Sequence, residues 1–362
     1  MSSSDASRPA GPVSAGRDAG GAEPTAEQRA AAAAVLRMIS GIHISRAVYV
    51  AAELGIADHL AGGPMTAGQL ARATQAHEPS LYRVLRLLAS LGVLAEQDDR
   101  SFGLTVLGER LRTGVPASVR SWAMLVDVLG GVGAFDPVIE TVRTGTPGFT
   151  IAHGMTVHEF FAAHLQQAQR FQAAMSERTG AVASSVAAGY DFSRMRIVAD
   201  IGGGTGTLLA AILRAHGHLR GVLFERAAVA AQAARVLEAA GVAGRCQIVA
   251  GDFFDGVPQG ADGYILATVL LDWDDARAVE ILSNCRRAMA PGGRVLIIER
   301  LIAGDPADAV PVLLSDLNML IFTGGQERTN AEYGRLLTEA GLSLGTIQPV
   351  ASPYGIIEGL AP

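Results

Sequence analysis

The chain has 362 residues, long enough for two domains at ~100–200 residues each. Its formal net charge of −6 argues against a bulk attraction to nucleic acid, and 49% hydrophobic against 18% charged residues fits a large buried core. Cys246 and Cys285 are the only cysteines, so there is no disulfide framework and no Cys-x-x-Cys, and a reducing cytoplasm is the expected setting.

Residues 1–23 are Ser, Ala, Gly and Pro with scattered charge. Such a segment buries too little apolar surface to offset its ordering entropy and reads as a disordered tail. It has no apolar signal-peptide core, and no apolar run anywhere reaches ~18 residues, so neither secretion nor a membrane span is expected. Residues 24–112 form the next expected domain. From Thr25 to about Leu60 the pattern is helical and too apolar for a free-standing face, so it is expected to pack on a partner such as a second subunit. Thr66 to Ala73 reads as a short capped helix and Pro79 to Leu91 as a second. Val93-Leu-Ala and Ser101-Phe-Gly-Leu-Thr flank Glu96–Asp99 as a small hairpin. Helix, helix, hairpin is a winged-helix arrangement. A DNA-binding regulator is one function this would allow, but the second helix offers only Arg83 and Arg86 and the wing is acidic. Phosphate contacts dominate DNA affinity, so a structural or dimerising role fits better.

Residues 113–188 are mostly helical and rich in large apolar groups, among them Trp122, Phe135, Phe160, Phe161, Phe171 and Met175. Those beside a neighbouring ligand site would line an aromatic pocket, and the rest would be core. In residues 189–362 strands and helices alternate. The strand candidates are Ile197–Ile201, Val222–Glu225, Gln247–Ala250, Gly263–Ala267 and Arg294–Glu299, with a helix over Asp274 to Met289 and a closing hairpin of 343–350 and 354–359. Repeated βα units predict a doubly wound parallel sheet.

The informative stretch is Ile197-Val-Ala-Asp-Ile-Gly-Gly-Gly-Thr-Gly206, an apolar strand ending in Asp200, then a glycine turn, then a helix. This is a nucleotide-binding unit. The dinucleotide spacing G-x-G-x-x-G fails, because Thr207 stands at the third position. An acid two residues before the first glycine repels pyrophosphate but suits an α-ammonium. Glu225, which ends the next apolar run, suits ribose hydroxyls. A ligand with a ribose and an amino acid and no phosphate is S-adenosylmethionine.

Six motifs then occur in order: Asp200-Ile-Gly-Gly-Gly-Thr-Gly, Phe224-Glu-Arg, Gly251-Asp-Phe-Phe, Leu270-Leu-Asp-Trp-Asp-Asp, Pro291-Gly-Gly-Arg-Val-Leu-Ile-Ile-Glu and Gly324-Gly-Gln-Glu-Arg-Thr. Together they resemble the plant-type small-molecule O-methyltransferases and their actinobacterial relatives that tailor aromatic polyketides and related antibiotics. The resemblance implies a Rossmann-like class I methyltransferase domain of α/β type, an N-terminal all-α, winged-helix dimerisation domain, a homodimer, S-adenosyl-L-methionine as cofactor without a metal, and an aromatic small-molecule acceptor. By position it implies that Asp200, Gly202 and Gly204 hold the methionine end and Glu225 the ribose. Asp252 and Phe253 would flank the adenine and Trp273 cover it, with Arg226 and Thr268 also at the cofactor. Phe171, Met175, Leu271, Asp272, Met319 and Phe322 would line the acceptor pocket.

One position departs from the family. Its Leu-His-Asp-Trp motif carries the general base, and here that His is Leu271. The acids that orient the His in the family stand at Glu299 and Glu327. The expected reaction is therefore methylation of a phenolic hydroxyl mainly by orientation, with Glu299, Glu327, His153 and His158 as the titratable candidates. Family members lacking the His include anthracycline-type methyltransferases and a relative that hydroxylates, so a non-methylating hydroxylation or decarboxylation is the alternative. His158-Glu159 does not make a zinc site, because the second His must stand at i+4 and His164 is at i+6.

Overall fold

The computed structural model describes residues 23–128, 131–302 and 306–361, so the tail expected to be disordered lies outside the described residues up to position 22. Two compact units divide at Ile44. The first contains α1 (Ala26–Ile39). Thr25 caps it by accepting from the Gln28 amide while the Gln28 side chain accepts from the Thr25 amide, a reciprocal capping box. No α1 residue is buried, and Leu36, Met38 and Ile39 are 62–77% exposed. The second helix, α2 (Gly41–Glu53), begins in this unit and ends in the next. Among the described residues no single helix is long and apolar enough to cross a membrane; α1 and α2 reach that length only together, across a 41° bend.

The second unit opens with α3 (Ile56–His59), β1 (Met65–Thr66), α4 (Ala67–Thr74), α5 (Glu78–Ser90), β2 (Leu94–Glu96) and β3 (Ser101–Leu104). Helix, helix and hairpin are as expected, with β1 added to make an antiparallel sheet of order β1-β3-β2. A two-residue strand carries no period, which is why the sequence does not announce it. Leu70, Leu81, Leu85, Leu88 and Phe102 form the core here.

Five α-helices follow before the large sheet is reached: α6 (Arg120–Val128), α7 (Val138–Thr144), α8 (Gly148–His153), α9 (Val157–Ala163) and the 25-residue α10 (Leu165–Gly189), with a 3-10 turn over Gly131–Phe135. The sheet contains β4 (Ile197–Ile201), β5 (Arg220–Glu225), β6 (Cys246–Ala250), β7 (Gly263–Ala267), β8 (Arg294–Arg300), β9 (Ser343–Ala351) and β10 (Tyr354–Leu360), in the order β6-β5-β4-β7-β8-β10-β9. The helices between them are α11 (Thr207–Ala215), α12 (Ala227–Ala239), α13 (Asp275–Ala288), α14 (Pro306–Phe322) and α15 (Asn330–Glu339). Strands β6 to β8 pair in parallel and β10 antiparallel to both neighbours.

Side chains alternate across each strand. Val198, Leu296 and Ile298 enter the core under α10, α11 and α12, while Ala199, Ile201, Val295 and Ile297 enter the core under α13 and α15. Burial on both faces explains why these strands read as continuous apolar runs. Strand order reverses at β4, which pairs with β5 on one side and β7 on the other. The crevice beyond the C-terminal strand ends at such a reversal is where open α/β sheets bind ligands.

Candidate active site

Beyond those strand ends lies a cavity of about 1290 Å³. Its floor is the glycine turn after β4. Gly202 and Gly204 have φ of 68° and 58°, the left-handed region, and a Cβ on Gly202 would meet Val269 at 3.0 Å. Gly203 closes over Asp200, because a Cβ there would stand 2.5 Å from the Asp200 carboxyl carbon. Asp200 is 1% exposed, and neither of its carboxylate oxygens has a hydrogen-bond partner among the described residues. Burial first, and the Glu225 charge second, push its pKa up to about 7. A buried carboxylate without donors, beside a turn that only glycine can make, fits a ligand that brings a cationic donor. Glu225 ends β5 and accepts from the Gly204 amide at 3.0 Å and from the Arg226 amide at 2.8 Å, one bond per oxygen. Each oxygen keeps a lone pair for a hydroxyl donor.

An aromatic corner adjoins this floor. Trp273 meets Phe253 edge-on at 5.9 Å and Phe254 at 4.7 Å, and Arg277 lies 4.1 Å over the Phe254 ring. The buried Asn284 amide donates to the Phe253 and Phe254 carbonyls and so fixes the Asp252–Phe254 loop. Arg226, Asp252, Phe253, Thr268 and Trp273 all line the cavity. The cavity also has an apolar wall, with Phe171 and Met175 from α10 and Met319 and Phe322 from α14, and Leu271 and Asp272 line it as well. Every residue expected at the cofactor or the acceptor is therefore brought to one cavity.

The titratable candidates divide. His158 lines the cavity, stacked on Trp273, and burial together with Arg226 pushes its pKa down to about 4. His153 is not on the cavity wall; it packs against Phe149 at 4.4 Å. Glu299 and Glu327 lie behind the wall. Glu299 is fully buried and accepts from the Val269 amide at 3.1 Å, and burial, Glu327 and Asp272 raise its pKa well above the usual carboxylate range. Glu327 accepts from Arg300 at 2.7 Å. The second oxygen of each of these acids, Oε2, has no partner among the described residues. His164 stacks on Phe160 at 4.1 Å, and no group of three His, Cys, Asp or Glu side chains among the described residues is arranged to hold a metal.

Four contributors have no role in the sequence reading. Gln172 and Ser176 project from α10 to the glycine turn, with Ser176 Oγ 2.8 Å from Thr205 Oγ1. They stand one position after Phe171 and Met175, so one helix serves the turn and the apolar wall. Arg178, two residues after Ser176, lines the cavity 5.6 Å over the Trp122 ring. Arg328 is fully buried and donates to the Leu270 carbonyl at 2.8 Å, the Trp273 carbonyl at 2.7 Å and Asp275 at 2.9 Å. It clamps the loop that carries Leu271, Asp272 and Trp273.

Comparison with known proteins agrees with this layout. Residues 135–343 match the family model of an O-methyltransferase domain and residues 36–114 that of an O-methyltransferase dimerisation domain. The phenazine O-methyltransferase PhzM of Lysobacter antibioticus is 41% identical over 90% of this chain and 94% of its own. The aclacinomycin 10-hydroxylase RdmB of Streptomyces purpurascens is 39% identical over 86% of this chain and 84% of its own. The crystal structure of NcsB1, an O-methyltransferase from neocarzinostatin biosynthesis in complex with S-adenosylmethionine and 2-hydroxy-5-methyl naphthoic acid, superposes with a TM-score of 0.78 at 37% identity, covering 88% of this chain and 96% of that one.

Proposed function

The chain belongs to the O-methyltransferase family, and on that premise we propose that it methylates a phenolic hydroxyl of an aromatic natural product. The observation that carries this is the single cavity in which the Asp200–Glu225 floor meets the apolar wall of Phe171, Met175, Met319 and Phe322. When bound, S-adenosylmethionine supplies a methyl group made electrophilic by a positive sulfur. Asp200 would hold its α-ammonium beside the Gly202–Gly204 turn, and Glu225 its ribose hydroxyls. Arg226, Asp252, Phe253, Thr268 and Trp273 would enclose the remainder. The apolar wall would orient a flat acceptor, and orientation is worth up to ~7–11 kcal/mol in favourable cases. Leu271, 3% exposed, lines the cavity with an apolar side chain that has no lone pair to receive a proton.

Incubation with S-adenosylmethionine and a panel of hydroxynaphthoates and hydroxyphenazines tests the reading. Product mass should rise by one methyl group with equimolar S-adenosylhomocysteine. A second reading, hydroxylation or decarboxylation on the same scaffold, is favoured by Leu271 and by the 39% identity to a 10-hydroxylase. It requires an altered acceptor with S-adenosylmethionine unconsumed. We further propose a homodimer built through residues 36–114, supported by the dimerisation-family match. Light scattering at micromolar concentration should return twice the chain mass, with well over ~2,000 Å² buried in the obligate class.

A further inference from the structure

We propose that Asp272 is the catalytic residue that takes the proton of the acceptor hydroxyl. The proposal rests on the reading above, in which the acceptor lies against the Phe171, Met175 and Met319 wall. Asp272 closes the 3-10 turn Leu270–Asp272, directly after the leucine that replaces the expected base. Its backbone is held rigidly. The adjoining Leu270 and Trp273 carbonyls accept from Arg328, and the Leu271 carbonyl accepts from the Gln326 amide at 2.9 Å. Its side chain is half-buried and lines the cavity, and among the described residues no hydrogen bond reaches its carboxylate. An acid that faces a ligand cavity without a donor of its own is available to accept one from the ligand.

The charged groups that bear on Asp272 come from three elements. Arg178 on α10 favours its ionised form, and Glu327, after α14, opposes it; Glu299 on β8 is coupled to it as well. Burial is the largest influence, and the carboxyl is carried up to about 7. A carboxylate at its ordinary ~3.9 is a feeble base toward a phenol at ~10, whereas one near neutrality combines an ionised form at working pH with useful basicity. In the step, the acceptor O–H bond breaks and the proton bonds to a carboxylate oxygen of Asp272; the electron pair left on oxygen would form the O–CH3 bond as the methyl–sulfur bond breaks, its pair remaining on the sulfur of the departing S-adenosylhomocysteine. Water removes that proton after product leaves. The other candidates are less suited. His158 is pushed down to about 4, His153 is off the wall, and Glu299 and Glu327 sit behind it.

The test uses the full chain with Asp272→Asn and Asp272→Glu. Infrared difference spectra of wild type minus Asp272→Asn, recorded without cofactor or acceptor, should show a protonated-carboxyl band that titrates near neutral pH. With a hydroxynaphthoate as probe acceptor, Asp272→Asn should lose ~10²–10⁴-fold in kcat and the rise of rate through neutral pH. Its S-adenosylmethionine affinity by calorimetry should be unchanged, and Asp272→Glu should recover the pH-dependent rise. A missing band, or full turnover with an unaltered pH profile in Asp272→Asn, overturns the assignment. Wild type that consumes no S-adenosylmethionine with any acceptor instead refutes methylation, and the infrared band still reports on Asp272. If Asp272→Asn fails to fold, a pH profile in Asp272→Glu identical to wild type overturns the proposal, and a displaced midpoint supports it.

Discussion

The His158 imidazole lies parallel to the Trp273 indole, with ring centroids 5.0 Å apart and planes 11° from each other. A charged ring could not hold this half-buried position beside Arg226 cheaply, which is why the pKa of His158 is pushed down to about 4. His158 is therefore neutral across the working range and supplies no break in rate near ~6.5. We expect His158→Ala to keep the shape of the pH–rate profile while raising KM for S-adenosylmethionine a few-fold, since it removes one face of support from Trp273. A break that disappears in His158→Ala, with cofactor affinity intact, would make His158 the base and remove Asp272 from that role.

Glu225 reaches the cofactor side with one backbone bond already on each oxygen. Hydrogen bonds to a charged partner contribute about 1.5–3 kcal/mol. Glu225→Ala should therefore weaken S-adenosylmethionine binding by roughly 2–3 kcal/mol, or ~30- to 150-fold. Isothermal calorimetry on the variant decides it, and unchanged affinity would sink the ribose assignment.

Asp200 and Glu225 were legible in the sequence because each stands at, or one residue before, the C-terminal end of a strand. β4 and β7 have the predicted bounds, since apolar runs stop where the ladder stops. β5 begins two residues earlier than the apolar pattern, because Arg220 pairs with Ile197 although neither Arg220 nor Gly221 looks like strand. Burial of charge was not legible. Arg328 reads locally as a solvated cation, and only the carbonyls of a loop more than fifty positions away, at Leu270 and Trp273, enclose it. The α10 helix was opaque for a related reason. It faces the glycine turn, the acceptor wall and Arg178's acidic neighbours at once, so its apolar residues do not collect into one stripe. The histidines 153 and 158 differ because Gly154, at φ 69°, ends α8 and Thr156 starts α9, which sends the two rings to different surroundings.

The Asp200 carboxyl makes cofactor binding depend on pH. In the free protein its pKa is raised to about 7, and an ammonium group placed against it would lower that value by favouring the ionised form. Binding then releases a proton below pH ~7 and none well above it, so affinity falls by up to about tenfold per unit as pH drops below neutrality. Calorimetry in two buffers of different ionisation enthalpy should show this proton release at acid pH only. An affinity flat across neutrality would contradict the contact between Asp200 and the ammonium.

Leu271 offers the most direct engineering test. Its side chain is buried, and Glu299 and Glu327, the acids that the family resemblance assigns to orienting a base at this position, each have one carboxylate oxygen with no partner among the described residues. An imidazole at position 271 would present its N–H toward those oxygens, fixing the ring and raising its basicity, as an acid behind a histidine does in other sites. The cost is the exchange of an apolar group for a polar one in a dry place, and the two unpartnered oxygens offset it by gaining a donor. Leu271→His should thus fold, with a Tm within a few degrees of wild type, and should extend turnover to less acidic phenols. The readout is kcat across a series of phenols of rising pKa, measured in wild type, Leu271→His and Leu271→His with Asp272→Asn. In wild type the rate should fall steeply as the phenol becomes less acidic, in Leu271→His the slope should be shallower, and in the double variant it should stay shallower than in Asp272→Asn alone. If the slope in Leu271→His equals that of wild type, Glu299 and Glu327 do not orient a base at 271 and serve only to balance Arg300 and the Val269 amide.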